Sequence, residues 1–290
     1  MGDLQLVIMA AGMGSRYGGL KQIDAFGPGE AFLMDYAIYD AYQLGVRRVC
    51  VVVRESFLPQ IRQILADKWG ARKDLAFHFV CQDLNDLPDG FKPPTDREKP
   101  WGTAHVLYAL RHSVKTPFVI MNADDFYGRP GIERLVSFLR RNPGQHALSG
   151  YPLGKTLSPH GPVTRGLCQV EGDELVKIEE VTGIQPGDPR QVIVSMNLWG
   201  FDPSLFPLVE TAFIGFLQQQ INTDKSEYLI PTLVNDLLQS GAVKVRALPV
   251  DSPWFGVTHR EDKSIVQNKI AQLIADGIYP ENLFAPKESI

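Results

Sequence analysis

The sequence predicts an α/β fold in which helices cover both faces of a mostly parallel sheet. In the first half of the chain, short apolar segments alternate with segments whose apolar residues recur at helical spacing. The short segments are continuously apolar and rich in β-branched residues, which is typical of strands buried on both faces. The helical segment Leu33–Leu44 stops at Gly45, a residue favoured just after a helix C-terminus.

The first half contains four predicted strands and three predicted helices. The strands are Leu4–Ala11, Arg48–Val53, Ala76–Cys81 and Pro117–Met121, and the helices are Leu33–Leu44, Ser56–Trp69 and Thr103–His112. The polar segment Asp83–Gly102 is long for a loop in a compact fold, and such loops are often functional. Because ligands of parallel sheets bind at the carboxyl ends of the strands, we expect the site at that edge.

The second half predicts an antiparallel insertion packed onto the edge of the sheet. Its strand-like segments are Gln145–Tyr151, Gly166–Glu171, Leu175–Val181 and Val192–Phe201. The segments Ser204–Gln220, Tyr228–Gln239 and Glu261–Ala275 are predicted helices, and Val243–Val250 is a predicted strand. No low-complexity linker divides the chain, so we predict one domain over residues 1–290. Its parts are residues 1–144, residues 145–258, and a C-terminal helix and tail at 259–290.

Composition indicates an ordinary soluble globular protein. The chain has 290 residues, 44% hydrophobic and 21% charged, with a net charge of −4. No long basic block is present, which argues against binding to nucleic acid or to an anionic membrane. The apolar stretches are shorter than the roughly 20 residues of a membrane-spanning helix. The N-terminus reads directly into the first predicted strand, so we expect no signal peptide.

The cysteines and histidines favour neither disulfides nor a metal site. Cys50, Cys81 and Cys168 each lie in an apolar stretch, and we expect buried thiols in the reducing cytoplasm. The six histidines show no metal-ligand spacing.

The segment Ile8–Gln22, IMAAGMGSRYGGLKQ, is the most informative local sequence. It fails the dinucleotide-binding pattern because Tyr17 replaces the third glycine, and it fails the P-loop pattern because Leu20 follows Gly19. Its glycines still allow backbone N–H groups to point at an anion, and Arg16 and Lys21 add positive charge. An ordinary strand-to-helix turn with solvated cations is the alternative.

Several motifs occur in one order over nearly the whole chain. They are AAGMGSRYGGLKQ, Gln82, GTAHV at Gly102–Val106, NADDFYG at Asn122–Gly128, RGLCQVEGDELVKIEEV at Arg165–Val181, and EYLIPTLVNDLLQSG near the C-terminus. In these motifs the sequence resembles the sugar-phosphate nucleotidyltransferases. The resemblance implies a Rossmann-like, GT-A-like nucleotidyltransferase fold. It also implies that residues 1–144 mainly bind nucleotide and that residues 145–258 form a smaller antiparallel lobe for sugar phosphate.

The resemblance assigns catalytic roles to Arg16 and Lys21, which would bind the triphosphate and the departing pyrophosphate. It implies nucleotide binding by Ala11, Gly12, Gly14, Ser15, Gln82, Gly102 and Thr103. Within the family, a glutamine followed by GTxH resembles enzymes that use uracil or thymine nucleotides. The Gln82 amide can offer both a donor and an acceptor to a base, although solvation at a strand end is the alternative. We interpret His105 as structural.

Asp124 is the predicted Mg²⁺ ligand. It follows the buried strand PFVIM, so its carboxylate emerges at the carboxyl edge of the sheet, where Mg²⁺ can bind carboxylate and phosphate oxygens. The alternative is a helix N-cap. However, Pro130 fits the first turn of the next helix, which therefore begins too far along the chain for Asp124 to cap it. Asp125, the next residue, is the neighbouring candidate.

On the sugar side, the resemblance assigns sugar hydroxyls to Gly166 and Glu180, with Asn197 near a third such position. An exposed strand glutamate is the alternative for Glu180. The chain departs from many relatives at two positions. Val181 replaces a lysine that binds the sugar phosphate, and Gly256 replaces a second metal-binding aspartate. Asp251 is a candidate replacement for that aspartate.

These observations predict an Mg²⁺-dependent nucleotidyltransferase. A sugar 1-phosphate would attack the α-phosphate of an NTP, with UTP or dTTP favoured, to give an NDP-sugar and pyrophosphate. The first alternative is a cytidylyltransferase that acts on a non-sugar phosphate such as phosphocholine. The second is a non-catalytic regulatory paralogue that binds nucleotide-sugar. The glycine-rich loop disfavours a glycosyltransferase. The expected partners are an NTP and a sugar phosphate, and a homo-oligomer is compatible with the sequence.

Overall fold

A nine-stranded mixed sheet forms the centre of the fold. The computed structural model describes residues 3–12, 24–159, 161–223, 225–257 and 262–285. In chain order the strands are β1 (Gln5–Met9), β2 (Arg48–Val53), β3 (Ala76–Cys81), β4 (Phe118–Asn122), β5 (Asp125–Phe126), β6 (His146–Pro152), β7 (Val163–Glu171), β8 (Glu174–Ile184), β9 (Ile193–Phe201), β10 (Val245–Pro249) and β11 (Phe255–Gly256). The order across the large sheet is β3-β2-β1-β4-β9-β6-β10-β8-β7, and β5 pairs separately with β11.

The first four strands of the large sheet confirm the predicted parallel arrangement. β1 pairs in parallel with β2 and β4, and β2 pairs in parallel with β3. Alternate residues of β1 enter two different hydrophobic cores, with Leu6 and Ile8 on one face and Val7 and Met9 on the other. Burial on both faces explains why these strands are continuously apolar in sequence.

Helices cover the two faces of the sheet. They are α1 (Leu33–Gln43), α2 (Leu58–Trp69), α3 (Thr103–Leu110), α4 (Arg129–Arg141), α5 (Phe206–Gln220), α6 (Ile230–Gln239) and α7 (Asp262–Ala275). Helices α1, α2 and α4 bury their apolar faces in one core, and α3, α5 and α6 bury theirs in the other. A third, smaller core joins α1 to α7 through side chains such as Tyr36 and Ile270. The predicted helices are therefore present, with small shifts at their ends.

The second half differs from the predicted insertion at the edge of the sheet. Only the β7–β8 hairpin lies at the end of the sheet, whereas β9 lies inside it, antiparallel to both β4 and β6. Strand β9 is buried on both faces, since Leu198 enters one core and Trp199 the other. Small polar residues such as Ser149 and Ser195 interrupt the apolar runs of β6 and β9, so these strands lack the continuous apolar pattern of the first half.

The β9 strand contains a bulge next to the end of β4. The pairing of β9 with β6 shifts between Leu148↔Trp199 and Gly150↔Ser195, so three residues of β9 face one residue of β6. Asn197 lies at the centre of this bulge with φ of 60°, a value that residues other than glycine adopt rarely. Bulges redirect side chains and often lie beside functional sites.

None of the helices in the described ranges is long and apolar enough to cross a membrane. The three cysteines are free thiols, and Cys50 and Cys168 are buried as expected, while Cys81 is only half-buried.

Backbone contacts join the start of α3 to the segment before α6. Tyr228 N donates to Trp101 O at 2.8 Å, and Ala104 N donates to Tyr228 O at 2.9 Å. Between them, Gly102 has φ of 97°, and a Cβ at this position would lie within 3 Å of the Tyr228 backbone. Glycine is therefore required here both by its backbone conformation and by the close approach of a second chain segment.

We predict that Gly102→Ala destabilises the fold more than Gly90→Ala. Gly90 has a similar φ of 87° but no atom within 4 Å of an added Cβ. Alanine at Gly90 should cost about 1 kcal/mol for the left-handed conformation alone. At Gly102 the clash should add about 1–3 kcal/mol. Urea denaturation of both variants measures the two losses, and equal losses would contradict the packing role of Gly102.

Candidate active site

The carboxyl ends of the parallel strands bring several predicted site residues to one edge of the sheet. Backbone hydrogen bonds just beyond the strand ends keep neighbouring segments aligned at this edge. They join Ala10 N to Val52 O at 2.8 Å, Gln82 N to Val53 O at 2.8 Å, and Ala123 N to Met9 O at 3.1 Å. Ala11, Gln82 and Asp124 therefore emerge on the same side of the fold. The predicted residues Gly14, Ser15, Arg16 and Lys21 lie outside the described residues, so their roles stay predictions.

A cavity of about 240 Å³ opens beside the ends of β2 and β3, and we call it the first cavity. Its lining residues come from three chain segments: Arg54–Ser56, Cys81–Leu84, and a third group of Glu98, Pro100 and His105. The long polar loop thus encloses part of this cavity, which supports the view that the length of the loop has a function. Trp101 anchors the loop, because its fully buried indole donates from Nε1 to Leu84 O at 3.1 Å.

Gln82 lines the first cavity, and its amide nitrogen is directed at two protein acceptors. Nε2 donates to Gly102 O at 3.0 Å and lies 3.3 Å from Nδ1 of His105. A backbone carbonyl can only accept, so the contact with Gly102 fixes which end of the amide faces the protein. The donor half of Gln82 is therefore occupied, whereas the sequence alone predicted that both halves are offered to a base.

Gly102 and Thr103 are not among the residues that line the first cavity. The close approach of the Tyr228 backbone explains why position 102 is a glycine. The Thr103 hydroxyl accepts from Ile230 N, at the first residue of α6, at 2.9 Å. Both residues thus have structural functions, and their nucleotide-binding roles stay predictions.

Arg54 is a cation of the first cavity that the sequence analysis missed. Its Nε donates to Ala11 O at 3.0 Å and so holds the residue that precedes Gly12 at the start of the glycine-rich loop. Burial lowers the pKa of Arg54, and its Nη2 is buried without a hydrogen-bond partner in the described part of the chain. The signal was present in the sequence, because Arg54 directly follows the apolar run of β2 at the predicted ligand edge.

Two carboxylates follow β4 in succession. Asp124 is half-buried in the turn between β4 and β5, and α4 begins only at Arg129 with Gly128 as its N-cap, so Asp124 does not cap that helix. Asp125 is buried, and its Oδ2 accepts from Asn122 Nδ2 at 2.8 Å. The Tyr127 hydroxyl lies 3.2 Å from the same oxygen, but its one hydrogen is shared with Met196 O at the shorter distance of 2.7 Å. These contacts orient the second carboxylate relative to the end of β4.

The glycine at position 256 makes room for the Asp125 carboxylate. Gly256 pairs with Asp125 across the small β5–β11 sheet, and a Cβ at this glycine would overlap Oδ1 of Asp125. Because Gly256 has no side chain, the Asp125 carboxylate can occupy the space beside it. The sequence analysis noted both positions separately, but only the strand pairing relates them.

Asp251, the other candidate metal ligand, is exposed, and its carboxylate forms an ion pair with Lys155. It does not line the cavity that contains Asp125. Within the described ranges, no three His, Cys, Asp or Glu side chains form a group able to hold a metal ion. A metal at this edge would therefore depend on one or two carboxylates together with ligand oxygens, which is how proteins commonly bind Mg²⁺.

A second cavity, of about 290 Å³, lies on the other side of β4. Its walls bring together the three predicted sugar-binding residues, Gly166, Glu180 and Asn197, and they also include Asn122 and Asp125. Gly166 and Glu180 are directly paired across β7 and β8. Glu180 is exposed, which agrees with the alternative of an exposed strand glutamate. Partial desolvation raises the pKa of Glu180, while the positive charge of Arg165 lowers it.

Arg165 is the single cationic side chain among the described residues that line the second cavity, and the sequence analysis gave it no role. It lies directly opposite Val181 in the β7–β8 register. Its guanidinium donates to the Thr156 carbonyl, to Thr156 Oγ1 at 3.3 Å and to Thr164 O at 2.8 Å, and it lies 5.0 Å from the centre of the Trp254 ring. These neutral acceptors engage three of its five N–H groups.

The charge of Arg165 is compensated only at a distance. None of the described carboxylates forms an ion pair with it, although Asp125 and Glu180 are near enough to raise its pKa against the lowering effect of burial. A desolvated, rigidly held guanidinium with two remaining N–H groups is suited to binding an anionic group of a ligand.

Comparison with known proteins identifies the fold. No protein-family model matches the sequence, and no curated protein matches it at the level of sequence. Solved structures do match. One is the inositol-1-phosphate CTP transferase from T. maritima, with a TM-score of 0.64 and 13% identity over 93% of this chain and 96% of that chain. Another is a protein assigned as a glucose-1-phosphate thymidylyltransferase from Bacillus anthracis, in complex with sucrose. It has a TM-score of 0.64 and 14% identity over 92% of this chain and 94% of that chain. The chain therefore has the fold of these nucleotidyltransferases along nearly its whole length.

Proposed function

We propose that the chain is a nucleotidyltransferase that joins an NTP, with UTP or dTTP preferred, to a sugar 1-phosphate and releases pyrophosphate. The observation that carries this proposal is the arrangement of two cavities on either side of the β1 and β4 ends. One contains an amide suited to a base, and the other contains a carboxylate and an amide suited to hydroxyls. The pair Asp124–Asp125 lies at the end of β4, beside the second cavity.

The reaction requires little covalent chemistry from the protein. An oxygen of the acceptor phosphate forms a bond to the α-phosphorus, and the bond from that phosphorus to the β-phosphate oxygen breaks, so pyrophosphate leaves with the electron pair. Because a phosphate monoester is mostly ionised at neutral pH, no general base is needed. Catalysis then depends on alignment of the two anions and on compensation of their charge.

Asp124 and Asp125 are the residues that would hold Mg²⁺. The fit rests on the room that Gly256 leaves for the Asp125 carboxylate and on the half-buried position of Asp124 at the strand end. Bound Mg²⁺ would supply positive charge to the phosphate oxygens. Asp125 is oriented mainly by Asn122, whose Nδ2 donates to Oδ2 at 2.8 Å.

The acceptor is proposed to bind in the second cavity. Glu180 can accept hydrogen bonds from vicinal hydroxyls, and Asn197 can donate or accept. Arg165 is proposed to bind the acceptor phosphate with its remaining N–H groups. Its nearness to Asp125 supports a position for that phosphate at the end of the cavity next to β4.

The proposal is tested by a substrate panel. The purified chain is incubated with Mg²⁺, each of UTP, dTTP, CTP, ATP and GTP, and each of glucose 1-phosphate, inositol 1-phosphate and phosphocholine, and pyrophosphate release is measured. We expect release with UTP or dTTP and the sugar phosphate. Release with CTP alone would favour the cytidylyltransferase alternative, to which the first structural neighbour is relevant because its substrates are CTP and inositol 1-phosphate. Nucleotide-sugar binding without any release would favour the regulatory alternative.

We predict that Asp124→Ala lowers turnover by at least about 100-fold, because it removes a main electrostatic group of the reacting centre. Asp67→Ala, a change at an exposed residue on α2, serves as the matched control. A near-normal rate for Asp124→Ala would mean that the metal binds elsewhere. In that case a changed Mg²⁺ dependence in Asp251→Ala would identify Asp251 as the ligand.

Arg165→Gln should raise the KM for the acceptor phosphate by about 10- to 100-fold, the scale of charge-assisted hydrogen bonds worth roughly 1.5–3 kcal/mol. The KM for the NTP should stay within a factor of about two. Arg190→Gln is the matched control, since Arg190 is an exposed residue paired only with Asp188 among the described carboxylates. Steady-state kinetics with each substrate varied in turn measures both constants, and equal increases in both would contradict an acceptor-specific role.

A further inference from the structure

We propose that His105 is a positioning residue that sets base selectivity: it holds Gln82 so that the first cavity accepts uracil or thymine and disfavours cytosine. This inference rests on the proposed function and adds to it the residue that determines the choice of base. Three hydrogen bonds carry it, and they link Asp86, His105, Gln82 and Gly102 in one chain.

The protonation state of His105 follows from its surroundings. Its ring is fully buried, and burial lowers the pKa of His105, which favours the neutral form at neutral pH. Nε2 lies 2.9 Å from the carbonyl oxygen of Asp86. A carbonyl only accepts, so Nε2 carries the hydrogen, and Nδ1 of the neutral ring is left as an acceptor.

The orientation of Gln82 follows from the Gly102 carbonyl and His105 Nδ1 together. Nδ1 of His105 and the carbonyl of Gly102 are both acceptors, and the amide nitrogen of Gln82 has one N–H for each. Rotation of the amide by 180° would place Oε1 against two acceptors and leave both unsatisfied. Gln82 therefore presents only its carbonyl oxygen to the cavity.

A site with a fixed acceptor distinguishes pyrimidines by the atom at ring position 3. Uracil and thymine carry an N–H there, which can donate to Oε1 of Gln82. Cytosine carries an unprotonated nitrogen, whose lone pair would face the same oxygen. Sites built to pair with one polar group discriminate strongly against analogues that lack it. Without the acceptor at Nδ1, the carbonyl of Gly102 alone would hold the amide of Gln82, so rotation toward an orientation that donates to cytosine would cost less.

The alternative role of His105 is packing alone. Its ring stacks on Phe213 with centroids 5.2 Å apart and on Tyr108 with centroids 6.2 Å apart. Two variants separate the roles. Phe213→Leu weakens the packing and keeps the hydrogen bonds, whereas His105→Leu keeps an apolar side chain and removes the acceptor. His105→Asn returns an acceptor oxygen close to the position of Nδ1.

The experiment measures the ratio of kcat/KM for UTP or dTTP to kcat/KM for CTP in the intact chain. We expect His105→Leu to lower this ratio by at least about 10-fold, the scale of one lost discriminating hydrogen bond. Phe213→Leu and His105→Asn should keep the ratio within about three-fold of the wild type. An unchanged ratio in His105→Leu, or an equal fall in Phe213→Leu, would overturn the proposal.

A second measurement keeps the proposal testable if His105→Leu does not fold. Nitrogen-15 NMR of the labelled wild-type chain should show His105 as the neutral tautomer protonated at Nε2, and protonation at Nδ1 would overturn the proposal. Calorimetric binding of UMP and CMP separates this inference from the proposed function. If no NTP yields pyrophosphate, the proposed function fails, yet tighter binding of UMP than of CMP would still support the inference, and equal binding would refute it.

Discussion

The parallel pairing of β1 with β2 and β4 is the constraint on which the rest of the structure depends. Parallel strands place all their carboxyl ends at one edge, and the chain must leave the sheet there through loops that cannot be fully buried. In this protein the residues that leave the edge include Ala11, Arg54, Gln82 and Asp124. Polar groups from distant parts of the sequence are thus assembled by the backbone alone, before any side chain contributes.

The antiparallel strand β9 extends this edge to the second half of the chain. Because β9 runs opposite to β4, the middle of β9 lies beside the point where β4 ends, and its bulge carries Asn197 into the same cavity as Asn122. One continuous sheet therefore supports both cavities. Substrates bound in the two cavities would be held by elements of this one sheet, which suits a reaction that depends on alignment.

Much of the fold could be predicted from the sequence because its signals are local. Continuous apolar runs identify β1, β2 and β4, and helical periodicity with a glycine or proline at the ends identifies the helices. The position of β9 could not be predicted in this way, since it depends on pairing with β4 between residues 79 to 83 positions apart in the chain, such as Ile120 with Trp199 and Phe118 with Phe201. The candidate site divides similarly. Asp124 could be predicted because it directly follows a buried strand. The contact of Asp125 with Gly256 and the place of Arg165 opposite Val181 could not, because they depend on how the strands pair.

The left-handed conformation of Asn197 has a consequence for how this protein can change over time. Besides glycine, asparagine and aspartate are the residues that tolerate this backbone most readily. Of these three, glycine would remove the amide from the cavity, and aspartate would add a third negative charge beside Asp125 and Glu180. Backbone geometry and ligand chemistry thus constrain one position together, and substitution at residue 197 should be far slower than at exposed positions of the neighbouring strand β7, such as Gln169.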